Sequence, residues 1–309
     1  MSAVLPPPGA HGGDGARVAA ALGIDPASVL DLSASLNPVA PDPAPIVARH
    51  LGGLGRYPDP DRATAALAER LGVETGRLLL TNGGAEAIIL VGRLLGGTVD
   101  EPDFSLYPRH PTDEGATAPR WRSNPHSPTG RLAADDEHAE VWDEAFWPLA
   151  TATWTRGDHR HGSVVVGSLT KVLACPGLRV GYLVAPDGSA GDQLLAALRA
   201  RQPAWSVGSL ACDALPDLLG AVDLPGWQRE IGRLRRALVD LLASHGLTVD
   251  AADAPWVLVH DAPELRTALA VRGVVIRGCA SFGLPATVRI AVPDDDGRQR
   301  LAAALRTVS

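Results

Sequence analysis

The chain has 309 residues, 28 of them Lys or Arg and 35 Asp or Glu, for a formal net charge of −7. That length suits one large domain and a small one, and the acidic balance argues against nucleic acid as a partner. No apolar run reaches the roughly 18 residues needed to span a bilayer, no signal-peptide pattern opens the chain, and Cys175, Cys212 and Cys279 have neither metal-ligand spacing nor the even number of a disulfide framework. A cytoplasmic protein without membrane or metal is expected.

In chain order, residues 1–40 are expected to form an N-terminal arm, Pro- and Gly-rich and helical only over 16–23. A helix is predicted over 63–71, capped by Asp59 or Asp61. Leu78-Leu79-Leu80 reads as a short buried strand, broken by Thr81-Asn82-Gly83-Gly84, with an apolar helix over 85–95. A strand, a glycine turn and a helix N-terminus make an anion site of backbone N–H groups and helix dipole. Residues 162–186 hold two strands, followed by helices near 192–201 and 207–219. A long amphipathic helix over 227–245 joins the two domains, and the rest alternates strand and helix: 256–260, 263–272, 274–276, 287–292 and 298–306. The fold class expected is α/β: a three-layer large domain over 41–225 with a central, mostly parallel sheet, and a smaller α+β C-terminal domain over 226–309.

The chemistry gathers in Ser168-Leu169-Thr170-Lys171, followed after Pro176-Gly177 by Arg179. The β-branched run Val164-Val165-Val166 puts Lys171 at a strand's C-terminal end, where α/β proteins place chemistry. A partly desolvated lysine loses its proton and forms a Schiff base. Ser168, Thr170 and Arg179 supply the hydroxyls and forked cation that bind phosphate. An imine-forming lysine beside a phosphate cradle points to pyridoxal 5'-phosphate (PLP).

The string resembles the cofactor-lysine signature of the aspartate-aminotransferase-like PLP enzymes, in the branch of histidinol-phosphate aminotransferases and threonine-phosphate decarboxylases. Other motifs fall in the order this superfamily uses. In the resembling family the loop Thr81–Glu86 holds the PLP phosphate, here through the N–H groups of Gly84 and Ala85. Asn124-Pro125-His126-Ser127-Pro128-Thr129-Gly130 is similar to a loop whose Asn124 counterpart donates to the cofactor's phenolic oxygen and lowers the basicity of the imine nitrogen. Asp143, in Asp143-Glu144-Ala145-Phe146, matches the carboxylate that keeps the pyridine nitrogen protonated. Glu101–Tyr107 resembles the segment supplying the ring stacked on PLP, with Phe104 the first choice and Tyr107 the second. Tyr57, in Arg56-Tyr57-Pro58-Asp59, matches a tyrosine that reaches the PLP phosphate of the neighbouring subunit, which implies a homodimer with shared active sites.

The resemblance also bears on the substrate. Arg289, in Val288-Arg289-Ile290-Ala291-Val292, matches the arginine that takes the substrate α-carboxylate bidentately. His11-Gly12-Gly13-Asp14 resembles the His-Gly-Gly arm of the decarboxylases, and Arg277 lies in a segment whose arginine contacts substrate. His11 and Arg277 would help hold a substrate phosphate. Ser35 stands where the decarboxylases have a substrate-binding asparagine. The implied function is decarboxylation of threonine phosphate, or a close phospho-amino acid, to aminopropanol phosphate in cobalamin biosynthesis. The alternatives are a histidinol-phosphate or related aminotransferase, and a PLP-binding protein without catalysis. Only 16 residues separate Tyr107 from Asn124, and 12 separate Gly130 from Asp143; the family usually fits a helix and a strand into each. The large domain is therefore expected to lack part of its helical cover.

Overall fold

The computed structural model describes residues 5–7, 9, 11–112 and 117–308. The N-terminal segment carries a helix, Gly15–Leu22, and a two-residue strand, β1 (Leu30–Asp31). The central sheet is built from β2 (Leu78–Asn82), β3 (Thr98–Val99), β4 (Arg120–Ser123), β5 (Val141–Asp143), β6 (Val164–Ser168) and β7 (Val180–Val184). Their spatial order is β2-β7-β6-β5-β4-β3. Strands β3 to β6 are parallel, and β7 runs antiparallel to its neighbours β2 and β6. Consequently β2, β4, β5 and β6 all end at one edge of the sheet. Ser123 pairs with Asp143 there, and Asp143 with Val166.

The apolar runs of β6 and β7 are those of strands buried on both faces. One face packs Val165 against Leu67 and Leu215, from the helices Asp61–Leu71 and Ser209–Gly220. The other packs Val166 against Val91 and Leu195, from Gly83–Leu95 and Ser189–Arg199. This is the expected three-layer arrangement. One detail differs: Pro60 holds the cap position of Asp61–Leu71 and Asp61 is already helical. Neither aspartate is the N-cap; Asp59 instead accepts from the Asp61 N–H at 3.0 Å.

Helix Leu224–Ser244 starts where the Asp223 carboxylate accepts from the Gly226 N–H at 3.0 Å. It buries Trp227, Ile231, Leu234, Leu238 and Leu242, the stripe of an amphipathic helix. Trp227 and Ile231 pack on Leu149 and Val172 of the large unit, while Leu238 and Leu242 enter the C-terminal core, so this helix bolts the two cores together. The C-terminal unit contains β8 (Thr248–Ala251), β9 (Trp256–His260), β10 (Val274–Val275), β11 (Arg277–Gly278) and β12 (Val288–Ala291). Four of these form an antiparallel sheet in the order β11-β12-β9-β8. The N-terminal segment docks here: β1 pairs parallel with β10, and Val18 is buried with Ala270 and Val275.

The shortened stretches keep their strands, β4 and β5. Among the described residues neither stretch contains a helix. No helix of the described residues is long and apolar enough to cross a membrane.

Candidate active site

Strand β6 ends at Ser168, and the chain turns at once into the single turn Leu169–Val172, which presents Lys171. Lys171 Nζ donates to the Ala34 carbonyl at 3.0 Å and lies 5.8 Å from the centre of the Phe146 ring. Residues 34–37 brace the turn: the Asn37 side chain donates to the Val172 carbonyl at 2.9 Å, and the Asn37 N–H to the Lys171 carbonyl. Burial, reinforced by Arg289, Arg277 and Arg179, pushes the lysine down to about 8. About a tenth of it is therefore neutral amine at pH 7, far more than for a solvated lysine.

Lys171 opens into a cavity of about 290 Å³ at the carboxyl edge of the sheet. At one end Gly84 and Ala85, in the first turn of Gly83–Leu95, face Ser168, Thr170 and Arg179. The Ser168 and Thr170 hydroxyls are 2.8 Å apart. Gly83 has φ +72°, and a Cβ there would fall 2.5 Å from Arg179 Nη2. Glycine thus lets the guanidinium close on the helix N-terminus, and the result is an anion cradle.

Asp143, at the end of β5, also faces the cavity. Its carboxylate accepts from the Ala145 N–H at 2.9 Å and from the Tyr107 hydroxyl at 2.8 Å. Desolvation lifts it to about 6, against the pull of those two donors. Phe104 completes this wall, edge-on to both His11 and Tyr107 with ring centres 5.5 Å apart in each case.

At the other end stand two buried arginines. Arg277 and Arg289 are opposite each other in the β11–β12 register, so both side chains leave the sheet on one face. Arg289 lies over Trp256 at 4.7 Å and Arg277 over Phe282 at 4.6 Å. Among the described residues Arg289 Nε and Nη1 have no partner, and burial together with Arg277 brings its pKa down to about 9. Like charges directly opposite are unfavourable, and a bound anion relieves them. His11, at the cavity mouth, is held below its ordinary pKa by burial and by Arg277.

Four of the residues singled out from sequence are not in the cavity wall. Asn124 is buried between two wall residues, Ser123 and Pro125; its Oδ1 accepts from the Ala133 N–H at 3.1 Å and its Nδ2 has no partner among the described residues. Ser35 is fully buried with its hydroxyl unpartnered, in the left-handed region at φ +49° that asparagine tolerates better than serine. Gly12, at φ +72°, packs so closely that a Cβ would sit 2.3 Å from the Ser33 carbonyl oxygen. Tyr57 is 75% exposed and stacks on Trp205 at 4.5 Å.

Of the unusual residues in the Asn-Pro loop, His126 braces the loop while Ser127 also borders the cavity. His126 bridges Thr129 Oγ1 and the Pro102 carbonyl, at 2.9 and 2.7 Å, and the Ser127 N–H donates to Ser123 Oγ. Tyr107, the second choice for the stacking ring, donates to Asp143. Sequence reading missed two neighbours of the site. Phe146 lies beside Lys171 and was legible as the aromatic ending the Asp143 motif. Ala34 acts through a carbonyl, for which residue identity gives no signal.

Residues 121–305 match the family described as aminotransferase class I and II. The threonine-phosphate decarboxylase of Salmonella typhimurium is 31% identical over 360 aligned positions, covering 97% of this chain and 96% of that protein. This chain belongs to the class I and II aminotransferase family. The alignment is longer than the chain itself, so that relative carries segments absent here. The histidinol-phosphate aminotransferase of Stutzerimonas stutzeri is 28% identical over 350 positions, covering 94% of this chain and 92% of that one. The structure of histidinol-phosphate aminotransferase from Sinorhizobium meliloti in complex with pyridoxal-5'-phosphate superposes with a TM-score of 0.78 at 17% identity, covering 95% and 94% of the two chains.

The chain is thus a PLP-dependent, aminotransferase-like enzyme. Its side chains fit that cofactor: an anion cradle, an amine with lowered pKa and a carboxylate border one cavity, while the Asn124 amide beside it leaves a buried donor unpaired.

Proposed function

We propose that the enzyme decarboxylates L-threonine O-3-phosphate, or a close phospho-amino acid, to the amino-alcohol phosphate, as the cobalamin pathway requires. The observation that carries this reading is the buried pair Arg277 and Arg289, facing each other across β11 and β12 with His11 nearby. Arg289, with two N–H groups unpartnered among the described residues, and Arg277 beside it suit a substrate with two anionic groups of its own. A phospho-amino acid has them.

In this reading Gly84, Ala85, Ser168, Thr170 and Arg179 would hold the PLP phosphate, with Phe104 against its ring and the Asn124 amide as a donor to it. Bound there, PLP supplies an electron sink for the pair left when a bond to the substrate Cα breaks. Lys171, lowered to about 8, provides the neutral amine that attaches the cofactor. Asp143 holds the proton on the ring nitrogen. Arg289 grips the α-carboxylate through its forked N–H groups, and Arg277 with His11 holds the substrate phosphate. Gly12 and Ser35, outside the cavity wall, would act on the substrate by holding their neighbours His11 and Ala34 against it. Lys171 Nζ, having taken a proton from the substrate ammonium, would deliver it to Cα as carbon dioxide leaves. Tyr57, exposed and outside the wall of its own chain's cavity, serves the site of a second subunit in a homodimer.

The histidinol-phosphate aminotransferase relatives make transamination the competing reading. The test is product analysis with PLP and threonine phosphate, phosphoserine or histidinol phosphate. Carbon dioxide released without a keto-acid acceptor is the expected result. A keto product that forms only with an acceptor would establish transamination, and PLP binding without turnover of any of the three would establish a non-catalytic protein.

A further inference from the structure

Where the sheet lacks helical cover, residues 131–140 cross its edge without a helix. The start of this stretch is held by the Arg131–Asp250 ion pair and by the Leu132 N–H on Asp253, and its end by Glu137, which takes Arg120 and Arg122. The span between carries the Ala133 N–H that donates to Asn124 Oδ1. Besides Asn124 itself, Arg156 grips that span: its Nη2 donates to the Ala134 and Asp135 carbonyls at 2.9 and 3.0 Å. Arg156 is itself fixed. Its guanidinium lies 4.8 Å over the buried Trp142, the residue before Asp143, and its N–H donates to the buried Glu144 carboxyl at 3.0 Å.

An asparagine amide has an acceptor arm and a donor arm, and only the acceptor can face an N–H. The Ala133 N–H therefore decides which way Asn124 is turned, and leaves Nδ2 as the arm without a partner. We infer that Arg156 is a positioning residue for the cofactor: through residues 133–135 it sets the orientation of the Asn124 amide, a task performed here by one arginine where the sheet has no helix. The inference rests on the reading that Asn124 donates to the PLP phenolic oxygen.

The test compares Asn124→Ala, Arg156→Leu, Arg156→Lys and the double variant, all in the full-length protein. Two quantities are read: the PLP dissociation constant, and the pKa seen in the absorbance of the bound cofactor. Removing a donor from the phenolic oxygen raises that pKa. Arg156→Leu should raise it by roughly half a unit and weaken PLP binding about fivefold, the worth of one ordinary hydrogen bond. Arg156→Lys, which cannot fork between two carbonyls, should recover part of the change. The double variant should match Asn124→Ala alone, because both act through one contact. The inference falls if Asn124→Ala moves the pKa while Arg156→Leu does not, or if the two effects simply add. Should Asn124→Ala itself move nothing, the reading of Asn124 fails, and the role of Arg156 fails with it.

Discussion

The Tyr107 hydroxyl donates to Asp143 Oδ2 across 2.8 Å, joining the segment that carries Phe104 to the carboxylate at the end of β5. A donor to the ionised form lowers a carboxyl's pKa, while desolvation here raises it to about 6. Tyr107→Phe removes the donor, so Asp143 should hold its proton to higher pH. The acid limb of kcat/KM should move up by roughly one pH unit, a hydrogen bond to a charged group being worth about 1.5–3 kcal/mol. A pH–rate profile checks this: the deficit should be large at pH 6.5 and small at pH 8.5.

Arg277 and Arg289 set stability against function. Arg289→Met removes one of two buried like charges, so the cofactor-free protein should gain about 1–3 kcal/mol in thermal or denaturant unfolding. The same variant should lose on the order of a hundredfold in kcat/KM, the usual cost of about 3 kcal/mol for breaking a buried charge pair with a ligand. A variant that is less stable and still active would refute the assignment.

Gly83 keeps the anion cradle closed. Gly83→Ala puts a Cβ 2.5 Å from Arg179 Nη2 at a positive φ, which costs about 1 kcal/mol in backbone strain and displaces the guanidinium. PLP affinity measured by absorbance titration should fall about tenfold or more, the worth of a charge-assisted hydrogen bond. Unfolding in denaturant should show only the smaller loss.

Glu144 is buried behind Asp143, and burial raises its carboxyl to about 8 from an ordinary 4.5. The folded protein then retains a proton that the unfolded chain gives up, so stability falls as pH rises between those values and levels off above 8. Glu144→Gln has no proton to lose. Its melting temperature should match the parent only near pH 4 or below, and exceed it increasingly toward pH 8, by the equivalent of about 4 kcal/mol there. Parallel curves across that range would show that Glu144 is ionised in the fold.

Tyr57 offers a test of shared sites. Tyr57→Ala and Lys171→Ala should each inactivate their own homodimers, the first partly and the second fully. In a hybrid of the two, one site retains both residues. Co-refolded or co-expressed mixtures should therefore exceed the average activity of the parents, and a mixture that merely averages them would place Tyr57 outside the partner's site.

Much of the site was legible because its residues lie on turns at strand ends, where local residue types reveal the chemistry. Lys171 follows a β-branched run and two hydroxyl residues. Gly83-Gly84 interrupts a strand ahead of a helix, and Asp143 and Asn124 sit in short motifs of their own. Strands β4 and β5 were not predicted from periodicity, since four and three residues give too little pattern to detect. Their burial comes from Trp121 and Trp142, packed by distant parts of the chain.

The sequence by itself determined the chemistry available: an amine, a carboxylate, a phosphate cradle and several arginines. Only the tertiary structure decided how those groups act on one another. The pairing of Arg277 with Arg289 depends on strand register, the lowered pKa of Lys171 on burial among three arginines, and the direction of the Asn124 amide on a backbone N–H nine residues away. Residue identity fixes what a group can donate or accept. Desolvation and the distance to the next charge fix what it does, and both exist only once the chain has folded.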